Sequence, residues 1–337
     1  VYGQTMVSGP LVYAETTRPQ KDYLSLVIPL AGHECEEIGD IQFNDETIGS
    51  LSGPLGGLVQ SGRYVNLAFV NKHLGGAGQI ADSQLVSDSA GIWTTAHVLN
   101  GIAYLYIRLQ FDADVFPTGI PNVKAVVKGK KLYDPRTATT AWSDNWALAV
   151  RDYLTADYGL GCSSAEIDDT TFIAAANVAD ENVSLASGTQ KRYTVNGTIN
   201  LADRPLDILR NLMSAGAGSL VYSQGKWRLF AGAYTSPVAD IDEDWLAGGI
   251  QVQARVPRRH LYNAVRGTFS DPDKFWQPTD FPAVTNSTYE TQDGGERIAR
   301  DIELPFTTDA IRAQRIAKIH LERSRQGIGV VMTCNLK

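Results

Sequence analysis

Cysteine is scarce in this sequence: Cys35, Cys162 and Cys334 are the only three in 337 residues, and they stand far apart. An odd number without metal-ligand spacing gives neither a disulfide framework nor a zinc site, and it fits a reducing compartment. Long hydrophobic runs are missing as well. No stretch approaches the ~20 apolar residues of a membrane helix, and no basic-then-apolar segment opens the chain as a signal peptide would. A soluble chain without membrane insertion is therefore expected. Positive charge is in deficit, since 30 Lys and Arg against 37 Asp and Glu leave a formal charge of −7. That is the wrong sign for a protein that binds by neutralising phosphates, although it allows a local basic patch. There is no Gly-X-Ser-X-Gly elbow and no P-loop. The sequons at Asn182, Asn196 and Asn286 matter only in a eukaryotic secretory pathway, for which nothing in the sequence argues.

What is present is an ordinary globular composition. Hydrophobic residues make up 43%, charged 20% and aromatic 9%, which sets aside collagen-like, coiled-coil and wholly disordered readings. The length suggests two or three domains. The chain opens at Val1-Tyr2-Gly3-Gln4 inside an apparent strand and stops at Asn335-Leu336-Lys337 just after another, so both ends are expected to be cut from a longer polypeptide.

The fold class expected is mainly β with α+β inserts, in a multi-domain barrel or sandwich arrangement. Residues 1–135 read as an all-β module, because short β-branched and aromatic runs alternate with Gly and Pro punctuation. Leu24–Leu30, Ile38–Asp45 and Ile102–Phe111 are predicted strands, the last buried on one side. Val123–Tyr133 reads as a hairpin around Gly129, and the polar stretch Leu74–Ala90 as a long mobile loop. Residues 136–249 form a helical and small α+β module. Trp146, Ala149, Val150, Tyr153 and Leu154 recur at helical spacing after Ser143 and Asp144, which are expected to cap that helix. A second helix begins at Asp168 or Asp169 and carries Phe172, Ala175 and Ala176. A third follows Pro205, with Leu206, Leu209, Leu212 and Met213 inward. Gln190–Asn200 and Leu220–Ala233 alternate as strands, the latter turning at Gly225-Lys226.

Residues 250–337 form a third segment, with strands and one long helix, expected to pack back on the first module. Ile250–Arg255 and Leu261–Phe269 are its strands, and a Pro-rich polar stretch runs through Phe281 and Pro282. A helix follows the Asp309 cap, with Ala313, Ile316, Ala317 and His320 inward and Arg312, Arg315, Lys318 and Arg323 on its other face. A final strand covers Ile328–Asn335.

The residue types that carry chemistry are scattered. Gly53-Pro54-Leu55-Gly56-Gly57 and Gly75-Gly76-Ala77-Gly78 lack the following Lys-Ser/Thr of a phosphate cradle and read as loops. His33, His73, His97, His260 and His320 are isolated. His33-Glu34-Cys35-Glu36-Glu37 gathers imidazole, thiol and carboxylates, but alternate side chains of an extended segment point apart. Asp112, Asp114 and Asp134 have no partner visible in the sequence. Asp168 and Asp169 are explained by helix capping, and Asp240–Asp244 by a solvated turn. Arg255, Arg258, Arg259 and His260 suit a subunit contact through arginine forks better than nucleic acid, given the acidic balance. No catalytic, cofactor-binding or metal residue is assigned, no cofactor is expected, and the chain is read as no enzyme.

Four longer stretches carry a resemblance. Asp22–Asp45 (DYLSLVIPLAGHECEEIGDIQFND), Tyr133–Leu154 (YDPRTATTAWSDNWALAVRDYL), Gly225–Tyr234 (GKWRLFAGAY) and Lys274–Gln326, beginning KFWQPTDFPAV, resemble the tail tip or host-specificity (J-like) protein of long-tailed bacteriophages and prophages. That resemblance implies a baseplate-hub fold and a homotrimer forming the central hub that closes the end of the tail tube. It also implies contacts with tube, distal tail and tape-measure proteins, a place at the virion tail tip, and assembly in the bacterial host cytoplasm. Receptor contact in that family lies much further toward the carboxyl terminus, so scaffolding is the implied job of these residues. Three copies at −7 each would line a passage that DNA crosses without specific binding. The alternative is a carbohydrate-binding or carbohydrate-cleaving module acting at the bacterial envelope, with exposed aromatics such as Trp276 stacking on sugars and two acids cleaving them.

Overall fold

The computed structural model describes residues 1–17, 22–237, 239–254, 257 and 260–335. Strands hold 35% of the chain and helices 21%, so the protein is mainly β. Its contacts separate into two compact units: Val1–Asp152 with Val195–Asp203, and Tyr153–Thr194 with Arg204–Lys337.

The first unit contains β1 (Gln4–Val7), β2 (Tyr13–Thr17), β3 (Tyr23–Ala31), β4 (Glu37–Phe43), β5 (Glu46–Thr47), β6 (Leu51–Gly53), β7 (Gly56–Val59), β8 (Ala68–His73) and α1 (Ser83–Asp88). After these come β9 (Ala103–Gln110), β10 (Val123–Lys128), β11 (Lys131–Asp134), β12 (Thr139–Trp142) and the start of α2 (Trp146–Thr155). One sheet runs β1-β10-β4-β5 and another β2-β3-β9-β8-β7-β6. Period-two alternation explains their stacking. Ile38, Ile41 and Phe43 of β4 and Val123, Ala125 and Val127 of β10 share one core with Leu26 and Ile28 of β3 and Leu105 and Ile107 of β9. This is a sandwich. Among the described residues no sheet closes into a barrel, because β2 and β6 end the larger sheet without pairing to each other.

Three expectations fail here for physical reasons. β9 is not buried on one side only: Tyr104 and Tyr106 are as inaccessible as Leu105 and Ile107, because Val27, Leu85 and Trp93 build a second core on their face. Leu85 comes from the stretch that reads as a mobile polar loop, and Trp93 follows just beyond it. Instead that stretch carries α1 and is stapled by Gln79, which accepts from the Gly75 amide at 2.7 Å and donates to the carbonyls of Val98, Leu99 and Ile102. Its polar side chains satisfy backbone groups that have left water. Nor is Val123–Tyr133 a hairpin, since β10 pairs with β1 and β4 while β11 pairs with β12. Gly129 is small because the Val1 carbonyl oxygen would lie 2.2 Å from a Cβ there.

α2 is capped by Asn145, whose Oδ1 accepts from the Ala147 and Leu148 amides, whereas Ser143 Oγ accepts one residue earlier, from the Asn145 amide. Trp146 to Val150 are all buried, so this helix is apolar around its circumference rather than along a stripe.

The second unit contains α3 (Asp169–Asp180), β13 (Asn182–Ser184), β14 (Thr189–Lys191), α4 (Pro205–Ser214), β15 (Ser219–Ser223), β16 (Lys226–Phe230) and β17 (Gln251–Gln253). It continues with β18 (Ala264–Asp271), β19 (Gln277–Thr285), α5 (Ser287–Gln292), β20 (Ala299–Leu304), α6 (Ala310–Ser324) and β21 (Gly329–Val331). Phe172, Ala175, Ala176 and Ala179 of α3 are buried, and α3 packs on β16. β15 and β16 turn at Gln224-Gly225, both at positive φ, one residue earlier than expected. On α4, Leu206 is exposed and Ile208 is buried in its stead; in the 190–200 stretch only the end of β14 is a strand.

The Pro-rich stretch is strand β19, at the edge of the sheet β19-β18-β20, where Pro278 and Pro282 leave the central strand's ladder intact. β18 pairs antiparallel with β19 and parallel with β20. A Cβ at Gly267, φ +155°, would lie 1.8 Å from the Ile302 carbonyl oxygen of β20, so only glycine admits that approach. α6 packs on β18 and β19, and the Asp309 carboxylate caps it by accepting from the Arg312 amide at 2.8 Å. Ala313, Ile316, Ala317 and Leu321 are buried; so is Arg312, against expectation, with Nη2 donating to the Lys191 carbonyl at 3.2 Å. Among the described residues no helix is long and apolar enough to cross a membrane.

Candidate functional site

In the first unit a hollow of about 460 Å³ lies between the Gly53–Gly57 segment, Asn71–His73 and Ile80–Ser83. The glycine run is the β6–β7 hairpin rather than a loop. His73 Nε2 donates to Asp82 Oδ2 at 2.7 Å and Asn71 Nδ2 to the same oxygen at 2.8 Å, while the Leu85 amide donates to Oδ1. Burial by itself raises the Asp82 carboxyl, but these three donors outweigh it and hold the group below the usual carboxylate range. The imidazole lies flat on Tyr104, with ring centroids 4.3 Å apart. Such a pair orients an imidazole. Nucleophilic catalysis also needs a hydroxyl or thiol bonded to the ring, and among the described residues the ring's hydrogen bond goes to Asp82.

In the second unit a cleft of about 540 Å³ is bounded by Gly232–Thr235, Arg192 and one face of α6, where Arg315, Lys318, Ile319, Glu322 and Arg323 follow at helical spacing. The guanidinium groups are held by carbonyls: Arg315 Nη1 donates to Arg192 O at 3.1 Å and Arg323 Nη1 to Ala217 O at 3.0 Å. Tyr193 OH donates to the Gly232 carbonyl and fixes the opposite wall. Burial, with Arg192 alongside, holds Arg315 below its ordinary value. The sequence places Arg315, Lys318 and Arg323 on one helix face, but the wall that makes the face concave, 232–235, comes from a distant stretch.

The other candidates are accounted for one by one. In the His33–Glu37 cluster, His33 Nδ1 meets the Glu34 carbonyl at 2.8 Å and Nε2 the Val1 amino group at 2.8 Å. Glu34 and Glu36 face Lys131, and Glu37 faces Lys128. Burial pushes the Cys35 thiol up to about 11, away from the thiolate that binds metals. His97 stacks on Trp93 and bonds to Thr94, and His320 lies on α6 with its imidazole lowered by burial and by Arg323 and Arg300. Asp112 accepts from the Asp114 and Val115 amides, and Asp134 pairs with Arg136 at 2.7 Å.

Asp168 does not cap α3 with its side chain; it pairs with Arg228 at 3.1 Å, and its carbonyl accepts from the first turn. Asp242 caps a single 3₁₀ turn at Glu243–Trp245. Arg255, Arg258 and Arg259 lie outside the described residues, so the arginine-fork expectation does too. Trp276 is half-buried with its indole nitrogen inaccessible, a poor platform for a sugar face. Among the described residues no group of three or more His, Cys, Asp or Glu side chains is placed to hold a metal ion.

Apolar surface is the remaining feature. β17 and β21 form a two-stranded antiparallel ribbon whose residues are exposed throughout, Val252 at 61% and Val331 at 68%. Ile250 and Ile328 at its ends are exposed as well. An isolated ribbon of this kind is marginal in water, and apolar patches of this sort mark association surfaces.

Residues 204–331 match the family described as a putative phage tail protein. Comparison with curated proteins returns no significant match. Among solved structures, a chain from the virion of a native gene transfer agent particle is similar over 98% of this chain and 73% of its own, with TM-score 0.61 and 16% identity. The 43 kDa tail protein of prophage MuSo2 from Shewanella oneidensis aligns over 96% and 75%, with TM-score 0.27 and 10% identity. The family match supports a phage tail protein, and the first likeness is one of fold.

Proposed function

We propose that this chain is a structural, non-enzymatic subunit of a phage-type tail tip, three copies of which form the central hub that closes the tail tube and joins it to distal host-recognition parts. The observation that carries this reading is a fold shared along 98% of the chain with a component of a gene transfer agent virion, together with the tail-family match over 204–331. The β17–β21 ribbon adds a physical reason: it exposes valines on a structure too thin to bury them itself, and neighbouring subunits are a way to cover them. Assembly with other tail proteins, a place at the virion tail tip, assembly in the host cytoplasm and passage of DNA without specific binding follow from the same reading. The carbohydrate alternative draws no comparable support, since Trp276 is half-buried and Asp112, Asp134 and Asp168 are engaged in a turn and in ion pairs.

Counting copies in intact tails tests the proposal. Quantitative mass spectrometry of purified tails is expected to give three copies per tail, with an engineered tag on this chain imaged at the tail end. A different copy number, or a tag found along the tube, sinks it. Val252→Glu with Val331→Glu is expected to lower incorporation into tails while leaving the separate chain folded.

A further inference from the structure

The chain carries a formal charge of −7, yet the cleft on α6 gathers Arg192, Arg315, Lys318 and Arg323 around a single carboxylate, Glu322. Carbonyl acceptors hold Arg315 and Arg323 in position without neutralising them. Arg192 shares its charge with Glu181 at 2.9 Å, and Glu322 accepts from Tyr289 OH at 2.6 Å. Lys318 is exposed and forms no ion pair among the described residues. Ile319 and Ala233 add half-buried apolar lining to the cleft, and Tyr234 stands exposed at its edge.

The complement of this cleft is present in the same sequence. Asp240-Ile241-Asp242-Glu243-Asp244 is exposed along its length and places one apolar side chain among four carboxylates. Asp242 accepts from the Asp244 amide, and none of the four forms an ion pair among the described residues. In its own chain the segment does not line the cleft. Its root is fixed elsewhere, by the Leu246–Cys334 bridge and by Ala247 N donating to the Thr333 carbonyl at 2.8 Å.

We propose that the α6 cleft of one copy receives the acidic 240–244 segment of a second copy, with Ile241 against the apolar lining of Ile319 and Ala233 and Glu243 and Asp244 against Lys318, Arg315 and Arg323. This rests on the association of copies proposed above and names one contact within it. Opposite charges that face each other across an interface set partner choice and register, and the contact weakens as salt rises. A phosphodiester chain is the other polyanion of suitable charge, but it needs a basic track rather than one cleft on an acidic protein.

Reciprocal charge reversal on the full chain provides the test, with sedimentation equilibrium at low and high salt as the readout. Lys318→Glu and Glu243→Lys are both at exposed positions. Each is expected to weaken self-association about tenfold, and the two combined are expected to recover most of that loss, as a direct pair requires. If the unmodified chain does not self-associate at any concentration, the association reading falls and this contact with it. If it does associate but neither reversal weakens it, or the double variant is no better than the singles, the cleft contact alone is wrong. Salt-sensitive binding of a short DNA duplex that Lys318→Glu abolishes would instead assign the cleft to nucleic acid and overturn the proposal.

Discussion

Nε2 of His73, at the end of β8, donates to Oδ2 of Asp82, the residue that caps α1, across 2.7 Å, and the carboxylate is fully buried. This contact ties the 74–102 stretch to the sandwich and lets Leu85 and Trp93 cover the tyrosine face of β9. Asp82→Asn keeps the shape but loses the charge that the three donors share, and it is expected to cost about 2–3 kcal/mol. Chemical denaturation measures it. A variant as stable as the parent would mean that apolar contacts alone hold this segment.

Gly267 is the site where two backbones come closest in the β18 sheet. Gly267→Ala forces the Ile302 strand away and is expected to cost about 3 kcal/mol or more, whereas Gly78→Ala, with open space at its Cβ, stays within about 0.5 kcal/mol. Equal melting temperatures for the two variants would contradict the close approach.

Stability is expected to fall as pH drops from about 6.5 towards 4. Burial lowers the His33 imidazole to about 4, and burial also lowers His320. In that window the unfolded chain takes up protons that the folded chain refuses, so the unfolded state gains. Asp82 acts in a different window, its contribution being lost only as pH falls below the ordinary carboxylate value. Urea midpoints between pH 7.5 and 4.5 check this, and His320→Gln is expected to flatten the profile. A midpoint that rises on acidification would refute the assignment.

Thiol reactivity should separate the three cysteines. Cys334 is exposed, Cys162 partly so, and Cys35 is buried with its thiol pushed up to about 11. Alkylation at pH 8 is expected to label Cys334 first and Cys35 only after denaturant is added. Rapid labelling of native Cys35, located by peptide mapping, contradicts the buried environment.

Much of this fold follows from local pattern. The Leu24–Leu30 run, the Trp146–Leu154 periodicity, the Asp309 cap and the alternation flanking Gly225 were legible because each depends on neighbours within one or two turns. The same locality explains the errors. Nothing near Gln79 or Asp82 signals that their hydrogen-bond partners lie on β8 and at 98–102, so a packed cover over a sheet reads as a solvated loop. The stretch through Phe281 and Pro282 reads only as Pro-rich and polar, because the edge position that lets β19 hold its prolines is a property of the sheet.

The candidate surfaces divide in the same way. The basic face of α6 and the acidic 240–244 run are written in the sequence, since charge and helical spacing are local. Whether a basic face is concave, and whether a short apolar strand such as β17 finds cover, was decided by tertiary structure alone. Those outcomes depend on which distant backbone fills the space opposite, the 232–235 wall in one case and, among the described residues, the thin β21 in the other. Local pattern thus determined a β-rich chain without metal-ligand spacing, and composition its acidic balance. Long-range packing determined where its surface is left unfinished, because burial is settled between segments and not within them.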